Sequence, residues 1–214
     1  MDCCHRAVTA NQFDTAIARH DLRRFRRRGP EPSTRHLLRG VLERALPPQA
    51  SLLDIGGGIG VIHRLLLDRG FGHAIHVDAS DAYLSVAADE ARRLGHVDRV
   101  RFQLAEFPVE AAGVPAADVV TLDRVVCCDP DYVRMLSAAA SRARHVLAFS
   151  YPRPRLLTRL MVGAANGWRR LIGRAFRAYV HPPHLMKAVL ENAGMRHAWS
   201  GGSWVWAVEV FERV

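Results

Sequence analysis

The chain of 214 residues is 49% hydrophobic and 24% charged, a composition that suits one globular domain and excludes an intrinsically disordered chain. No apolar run reaches the roughly 20 residues that a bilayer-spanning helix needs, and the first residues lack the pattern of a secretory signal. The four cysteines form two adjacent pairs, Cys3-Cys4 and Cys127-Cys128, unlike a secreted disulfide framework, so we expect a cytoplasmic protein.

The formal net charge of +9 is concentrated at the two ends of the chain. Residues 1–50 carry +5, residues 51–150 carry −3 and residues 151–214 carry +7. Such a field favours an anionic partner: a carboxylate-bearing small molecule, a lipid headgroup surface or a nucleic acid. Lys187 is the only lysine; arginine suits recognition of carboxylate or phosphate, and a GC-rich genome would produce the same bias.

Two helices are predicted ahead of the first strand. Residues 9–28 show apolar side chains at helical spacing, and a run of arginines precedes the stop at Gly29-Pro30. A second helix is predicted from residue 33 or 34 to Leu46, where two prolines end it. Residues 1–48 are therefore expected to form a helical N-terminal extension.

From residue 49 onward, short apolar strands alternate with helices, which indicates a parallel sheet wound on both faces. Two final strands joined by Ser200-Gly201-Gly202-Ser203 predict an antiparallel hairpin. The expected fold is α/β: a single domain with a doubly wound, mostly parallel seven-stranded sheet whose carboxyl edge holds the ligand. The predicted strands are 51–55, 74–78, 100–104, 118–122, 145–150, 195–199 and 204–211, and the helices between them are 61–70, 81–94, 132–142, 155–179 and 185–193.

Residues 153–184 are predicted to form a helical cap on the core at 49–152, ahead of a last helix and hairpin at 185–214. Within the cap, residues 155–179 combine apolar and arginine side chains at helical spacing. We expect this helix to pack on the sheet with its arginines in solvent. The alternatives are a helix that covers the substrate and one that lies on a membrane surface.

The segment Asp54-Ile55-Gly56-Gly57-Gly58-Ile59-Gly60 lies between a predicted strand and a predicted helix. Glycines at this point let the backbone turn tightly and approach a ligand, and the helix terminus offers free N–H groups. The spacing Gly-x-Gly-x-Gly differs from the dinucleotide-binding pattern, and Asp54 would repel a pyrophosphate. The pattern therefore favours a cationic ligand over NAD.

Acidic residues follow the ends of three further strands. Asp78, with the adjoining Ala79, can accept hydrogen bonds from both hydroxyls of a ribose, and its alternative role is a helix cap. Glu106-Phe107 can bind an adenine amino group and pack against its ring, although such a pair is also common in loops. Asp123 ends the fourth strand at the same edge of the sheet.

Together these residues resemble the class I S-adenosylmethionine-dependent methyltransferases, over roughly residues 51–211. The resemblance implies S-adenosyl-L-methionine as the cofactor, and Glu106 stands where the family more often has aspartate. A looser similarity, through residues 148–152 and 176–181, is to the magnesium-protoporphyrin O-methyltransferases. The resemblance to the class I methyltransferases also implies the residues that hold each part of the cofactor. The methionine moiety would be held by Asp54, Gly56, Gly57, Gly58 and Gly60, the ribose by Asp78 with Ala79, the adenine by Glu106 with Phe107, and the sulfonium would be lined by Asp123.

Methyl transfer from a sulfonium mainly requires alignment of donor and acceptor and exclusion of water. His181, which follows the basic helix, is the candidate base or positioning residue, and Tyr151 is a second candidate. The alternative for His181 is a solvated loop histidine. We predict no metal site, because adjacent cysteines are poorly spaced for zinc.

The sequence thus predicts an enzyme that methylates a small, anionic organic acceptor, with O-methylation favoured and peripheral membrane contact as an open alternative. The first competing class is a basic protein that binds or modifies nucleic acid, which the lack of an Asn-Pro-Pro-Tyr-type base-flipping motif disfavours. The second is an NAD-dependent oxidoreductase, which the glycine spacing disfavours.

Overall fold

The computed structural model describes residues 14–214, so the Cys3-Cys4 pair lies outside the described range. Two helices precede the first strand, and helices then alternate with strands. The helices are α1 (Thr15–Arg28), α2 (Pro32–Leu42), α3 (Val61–Leu67), α4 (Asp81–Arg93), α5 (Phe107–Glu110), α6 (Tyr132–Arg142), α7 (Leu156–Leu171) and α8 (Pro183–Asn192). The strands are β1 (Ser51–Ile55), β2 (His73–Asp78), β3 (Val100–Leu104), β4 (Ala117–Leu122), β5 (Ala143–Pro152), β6 (Met195–Gly202) and β7 (Trp206–Arg213).

The seven strands form one sheet in the order β3-β2-β1-β4-β5-β7-β6. Strands β1 to β5 pair in parallel, whereas β7 runs antiparallel between β5 and β6. The predicted α/β fold, with its terminal antiparallel hairpin, is confirmed. The strand order reverses between β1 and β4, and the carboxyl ends of such strands leave a crevice in which this architecture binds ligands.

Helices cover both faces of the sheet, which leaves every residue of β1 buried. On one face Phe149 lies in the same apolar cluster as Leu136 of α6 and Leu190 of α8. On the other face Leu52 clusters with Leu37 of α2. Because both faces are covered, β1 is buried along its whole length and its burial does not alternate. This packing fixes the strand ends that form the crevice.

Several predicted boundaries are wrong. The helix predicted over 155–179 ends at Leu171, because Gly173 adopts a left-handed φ of +71° and turns the chain. The hairpin turn lies after Gly202 because β6 stays paired with β7 up to that residue. Helix α2 ends at Leu42 and not at Leu46. In the part of the chain from residue 14 onward, no helix has the length and apolar character needed to span a membrane.

A buried carboxylate fastens α1 to α4. Glu90 is 5% exposed and accepts hydrogen bonds from Arg93 at 2.8 and 2.9 Å, and from Arg26 of α1. Arg64 of α3 lies 3.3 Å from the same carboxylate. The hydrogen bonds from Arg93, together with those from Arg26, lower the pKa of Glu90 to about 2. Charge therefore helps to hold α1 beside the crevice, which Phe25 of this helix lines.

We expect Glu90→Gln to lower the free energy of unfolding by about 1.5–3 kcal/mol near neutral pH, because hydrogen bonds to a charged group are lost. A carboxyl with a depressed pKa stabilises the fold above its unfolded-state pKa, and this contribution disappears as the pH falls from 4.5 towards 2. Urea unfolding at neutral and acid pH should show a difference between variant and wild type that shrinks in acid. Asp89→Asn, which removes only an exposed ion pair with Arg92, is the control; an equal loss in both variants would contradict this role of Glu90.

Candidate active site

The carboxyl ends of β1, β2 and β4 open into a cavity of about 560 Å³, within the usual size range of small-molecule sites. Strand-end loops line its sheet side, while α1 and the segment 169–178 line its helical side. Gly60, with a φ of +80°, begins α3 and is not among the described lining residues. The predicted residues that do line the cavity are Asp54, Gly56, Gly57, Gly58, Asp78, Ala79, Glu106, Phe107 and Asp123.

The glycine bend, residues 56–60, connects β1 to α3. Gly56 and Gly58 have φ values of +60° and +55°, which side chains with a Cβ rarely adopt. Gly57 is needed for a different reason, since a Cβ there would lie 2.5 Å from the ring of His76. The bend therefore presents bare backbone to the cavity.

Asp54, next to the end of β1, is 1% exposed and has one oxygen without a partner. Its Oδ1 accepts a hydrogen bond from the Thr121 hydroxyl at 2.8 Å, whereas Oδ2 has no hydrogen-bond partner within residues 14–214. Burial raises the pKa of Asp54 to about 7, and the negative charges of Asp123 and Asp78 act in the same direction. An unpartnered buried carboxylate oxygen is costly, so it indicates a ligand that donates to it.

Behind the bend, His63 and His76 form a hydrogen bond with their Nδ1 atoms 2.9 Å apart, one donating and the other accepting. Burial lowers the pKa of His76 to about 3 and holds the pKa of His63 well below its ordinary value, so both rings are neutral. With Asp54 they place metal-ligand atom types within 4.8 Å of one another. The two rings already use their Nδ1 atoms on each other, so they act as packing behind Gly57.

Asp78, at the end of β2, anchors the bend. Its Oδ2 accepts a hydrogen bond from the Gly58 N–H at 2.9 Å, and its Oδ1 accepts one from the Ser80 N–H at 2.8 Å. The side chain of Ser80, not that of Asp78, caps α4. Burial raises the pKa of Asp78. The carboxylate is thus held in a fixed position between the bend and α4, on the cavity wall.

Asp123 connects α2 to the sheet. Its Oδ2 accepts a hydrogen bond from the Thr34 hydroxyl at 2.5 Å, and its Oδ1 accepts one from the Ser150 hydroxyl at 2.5 Å. Ser150 lies on β5 and Thr34 on α2, so a single carboxylate joins the N-terminal helices to two neighbouring strand ends. The predicted residue Asp123 therefore shapes the cavity as well as lining it.

Arg124 is held in a left-handed conformation, with a φ of +63°. Its N–H donates to the Ser150 hydroxyl oxygen at 2.7 Å, and its carbonyl accepts from the thiols of Cys127 and Cys128 at 3.5 and 3.4 Å. Both cysteines line the cavity. For a residue with a Cβ, this conformation costs about 1 kcal/mol of free energy. Strained backbone of this kind is found most often at functional sites.

The helical side of the cavity carries an arginine that forms no ion pair within the described part of the chain. Arg169 donates to the Asn166 side chain at 3.3 Å, and its guanidinium lies 5.4 Å from the ring centre of Phe176. Nearby, the hydroxyl of Tyr83 donates to Asp21 of α1 at 2.6 Å. Arg169 thus offers the cavity a positive charge on its helical side, which also carries the carboxylate of Asp21, and the strand ends offer three further carboxylates.

The two predicted catalytic residues lie away from the lining of the cavity as described from residue 14 onward. His181 is 7% exposed, and its Nε2–H donates to the carbonyl of Asp129 at 2.9 Å and lies 3.2 Å from that of Val126. It is therefore not a solvated loop histidine. Tyr151 is 4% exposed and donates to Glu209 at 3.0 Å; burial, with Glu209, raises its pKa and keeps the phenol neutral.

Sequence reasoning missed several lining residues that come from helices, among them Asp21, Phe25, Thr34 and Tyr83. One signal was available, since Asp21 is the only acidic residue among the arginines of 19–28. The others lie at ordinary helical positions and carry no local signal, because tertiary packing alone brings them to the strand ends.

Comparison with known proteins agrees with this geometry. The family described as "Methyltransferase domain" matches residues 53–146, which include the glycine bend, Asp78 and Asp123. A curated relative, the release factor glutamine methyltransferase of Cereibacter sphaeroides, is 40% identical over 80 residues. That match covers 36% of this chain and 27% of the relative, so the chain spans about a quarter of the length of that protein.

Solved structures share the fold over most of the chain. A magnesium protoporphyrin IX methyltransferase from Synechocystis PCC 6803, solved with bound SAH, has a TM-score of 0.68 and 20% identity, covering 85% of this chain and 82% of that one. An O-methyltransferase family 2 protein from Planctomyces limnophilus, in complex with apigenin, has a TM-score of 0.64 and 19% identity, covering 86% of this chain and 62% of that one. At these identities the likeness is one of fold.

The family match, the strand order and the strand-end residues agree with the class that the sequence predicts. Residues 53–146 are similar to a methyltransferase domain, and they include the crossover of the sheet where the glycine bend lies.

The strain at Arg124 can be measured with a pair of variants. Arg124→Gly and Arg124→Ala both lose the guanidinium, but only glycine relieves the left-handed backbone, so the glycine variant should be more stable by about 1 kcal/mol. Ser85, an exposed position within α4, is the control. There the glycine variant should be less stable than the alanine variant, because glycine is unfavourable inside a helix. Urea unfolding of the four variants is the measurement, and the same order at both positions would refute the strain.

Proposed function

We propose that this protein is an enzyme that transfers a methyl group from S-adenosylmethionine to an oxygen atom of a small, anionic acceptor bound in the cavity. The observation that carries the proposal is the glycine bend at the sheet's crossover, flanked by the carboxylates of Asp54 and Asp78. When bound, S-adenosylmethionine supplies a methyl group on a positively charged sulfur, which leaves as a neutral thioether.

The residues of the sheet side fit this cofactor. The unpartnered Oδ2 of Asp54 is suited to a cationic donor, and the bare backbone at Gly56 and Gly58 leaves room for close approach. We assign Asp54 and the bend to the methionine moiety and Asp78 with Ala79 to the ribose. By the same assignment Glu106 and Phe107 would hold the adenine, and Asp123 would lie beside the sulfonium.

The helical side supports an anionic acceptor. Arg169 faces the cavity without an ion pair inside the described range, and Arg124 lines the same space. A guanidinium can bind a carboxylate through two parallel hydrogen bonds, which orients the acceptor oxygen. A carboxylate acceptor is already ionised at neutral pH and needs no base. This agrees with a cavity whose lining includes neither His181 nor Tyr151.

We assign His181 a positioning role. Its Nε2–H holds the carbonyls of Val126 and Asp129, and the loop between them carries Cys127 and Cys128 along the cavity wall. The chain's own contribution to the reaction is then to bind and orient both molecules and to exclude water, which are the main requirements of methyl transfer. Tyr151 receives no role in this scheme.

Cofactor binding is tested by titration calorimetry with S-adenosylmethionine, its demethylated product and NAD. We expect Asp78→Ala to weaken binding of S-adenosylmethionine at least tenfold, because a buried acceptor of hydrogen bonds is removed and the bend loses its anchor. Asp78→Asn keeps the size of the side chain and separates the loss of charge from the loss of shape. Asp81→Ala, three residues along on the exposed start of α4, is the control; unchanged affinity in Asp78→Ala, or tighter binding of NAD, would refute the assignment.

The acceptor is tested by transfer of labelled methyl groups from S-adenosylmethionine into a cell extract. We expect label in a small molecule, with alkaline release if the product is a methyl ester. Arg169→Gln should reduce the labelled product at least tenfold while the affinity for S-adenosylmethionine changes less than twofold, because the acceptor's carboxylate loses its partner. Arg170→Gln, on the exposed side of the same helix, should behave as wild type. Label in nucleic acid, or equal loss in both variants, would contradict an anionic small acceptor.

A further inference from the structure

Helix α7 turns its apolar side towards solvent. Thr158 is 1% exposed and lies on the side that meets the protein, together with the partly buried Asn166 and Arg169. At 3.6 residues per turn, the opposite side of the helix is an arc of about 140° that contains only apolar residues. The α7 apolar face consists of Leu156, Leu157, Leu160, Met161, Trp168, Leu171 and the following Ile172, which are between 49% and 82% exposed.

This orientation is the reverse of the one expected. A surface helix normally buries its apolar stripe and presents its polar side to water. The sequence-based expectation that this helix packs on the sheet with a solvated arginine face is therefore wrong. Contiguous apolar surface of this kind on a folded protein marks an interaction site, because single exposed apolar residues are common but clusters are not.

The charge around the face is uniformly positive. Residues 153–190 contain seven arginines and one lysine but no aspartate or glutamate. Arg159 and Arg170 border one edge of the apolar arc on α7, and both are exposed. An apolar helix face bordered by arginines is the pattern of helices that lie in the interface of an anionic bilayer.

A second exposed tryptophan lies next to the amino end of α7. Trp204, in the β6–β7 turn, is 54% exposed, and the guanidinium of Arg155 lies 5.6 Å from the centre of its ring. Tryptophan rings favour the boundary between headgroups and acyl chains. Trp168 on the face and Trp204 beside the start of the helix are both available for such contact.

We propose that the α7 apolar face, with Trp204, binds the surface of a membrane that contains anionic lipids. The helix lies in the plane of the interface with its apolar arc among the acyl chains and its flanking arginines at the phosphates. A second copy of this chain is a poorer occupant, because it would bring two arginine-rich segments without acidic residues against each other. The proposal does not depend on methyl transfer, since it concerns the side of α7 opposite to Arg169.

The proposal is tested by sedimentation with vesicles of phosphatidylglycerol and phosphatidylcholine in equal parts, and with vesicles of phosphatidylcholine alone. We expect binding to the anionic vesicles that weakens at high salt, and much weaker binding to the neutral ones. Leu160→Ser combined with Leu171→Ser should lower the partition coefficient at least tenfold. The tryptophan emission should shift to shorter wavelength on anionic vesicles, and Trp168→Phe should remove most of that shift.

The matched control combines Val133→Ser with Leu185→Ser, two apolar residues of similar exposure outside the face, and it should bind vesicles like wild type. Thermal unfolding and calorimetry with S-adenosylmethionine verify that each variant folds. Three outcomes would overturn the proposal: no binding to anionic vesicles, equal binding by the Leu160/Leu171 variant, or a dimer in the absence of lipid that the same two substitutions dissociate. Loss of cofactor binding with intact vesicle binding would count against the proposed function alone.

Discussion

The carboxylate of Asp78 receives the backbone N–H groups of Gly58 and Ser80, and the form of the cavity depends on this pair of hydrogen bonds. They fix the glycine bend relative to the start of α4, so that the backbone of the bend, and not a side chain, becomes the wall. The buried strand β1 pairs with β2 along its length. This pairing keeps the bend after β1 and Asp78 at the end of β2 from moving apart. A rigid sheet thus supports a site built from loops.

The cavity contains charges of both signs. Asp54, Asp78 and Asp123 lie on its sheet side, while Arg169 lies on its helical side, which Asp21 and Glu31 also line. Burial keeps the pKa of Asp54 near 7, so its charge responds to whatever cation lies beside it. A site of this kind can hold a cation beside the strand-end carboxylates and an anion beside Arg169 at the same time. That arrangement suits a reaction in which a cationic donor meets an anionic acceptor.

The sheet and its loops could be predicted from sequence because their signals are local. Buried strands such as β1 are short and rich in apolar residues, and the glycines and acids at their ends mark the turns. The helical side could not be predicted, because Thr34 and Asp123 meet across 89 residues of sequence. The spacing of apolar residues in α7 predicts a helix with an apolar side. The spacing alone does not show which side of the helix packs against the rest of the protein. The sequence therefore predicts the helix in nearly the right place, but with the wrong side packed against the protein.

The contact between Gly57 and His76 links two positions that local sequence reasoning treats separately. Because a Cβ at position 57 would lie 2.5 Å from the imidazole, the bend and β2 share one small volume. In relatives of this chain, an alanine or serine at 57 should therefore be accompanied by a smaller side chain at 76 and by a shift of the carboxylate at 54, since the Cβ would also lie 2.7 Å from Asp54 Oδ2. The space between the bend and β2 can be occupied by a side chain from position 57 or from position 76, but not from both.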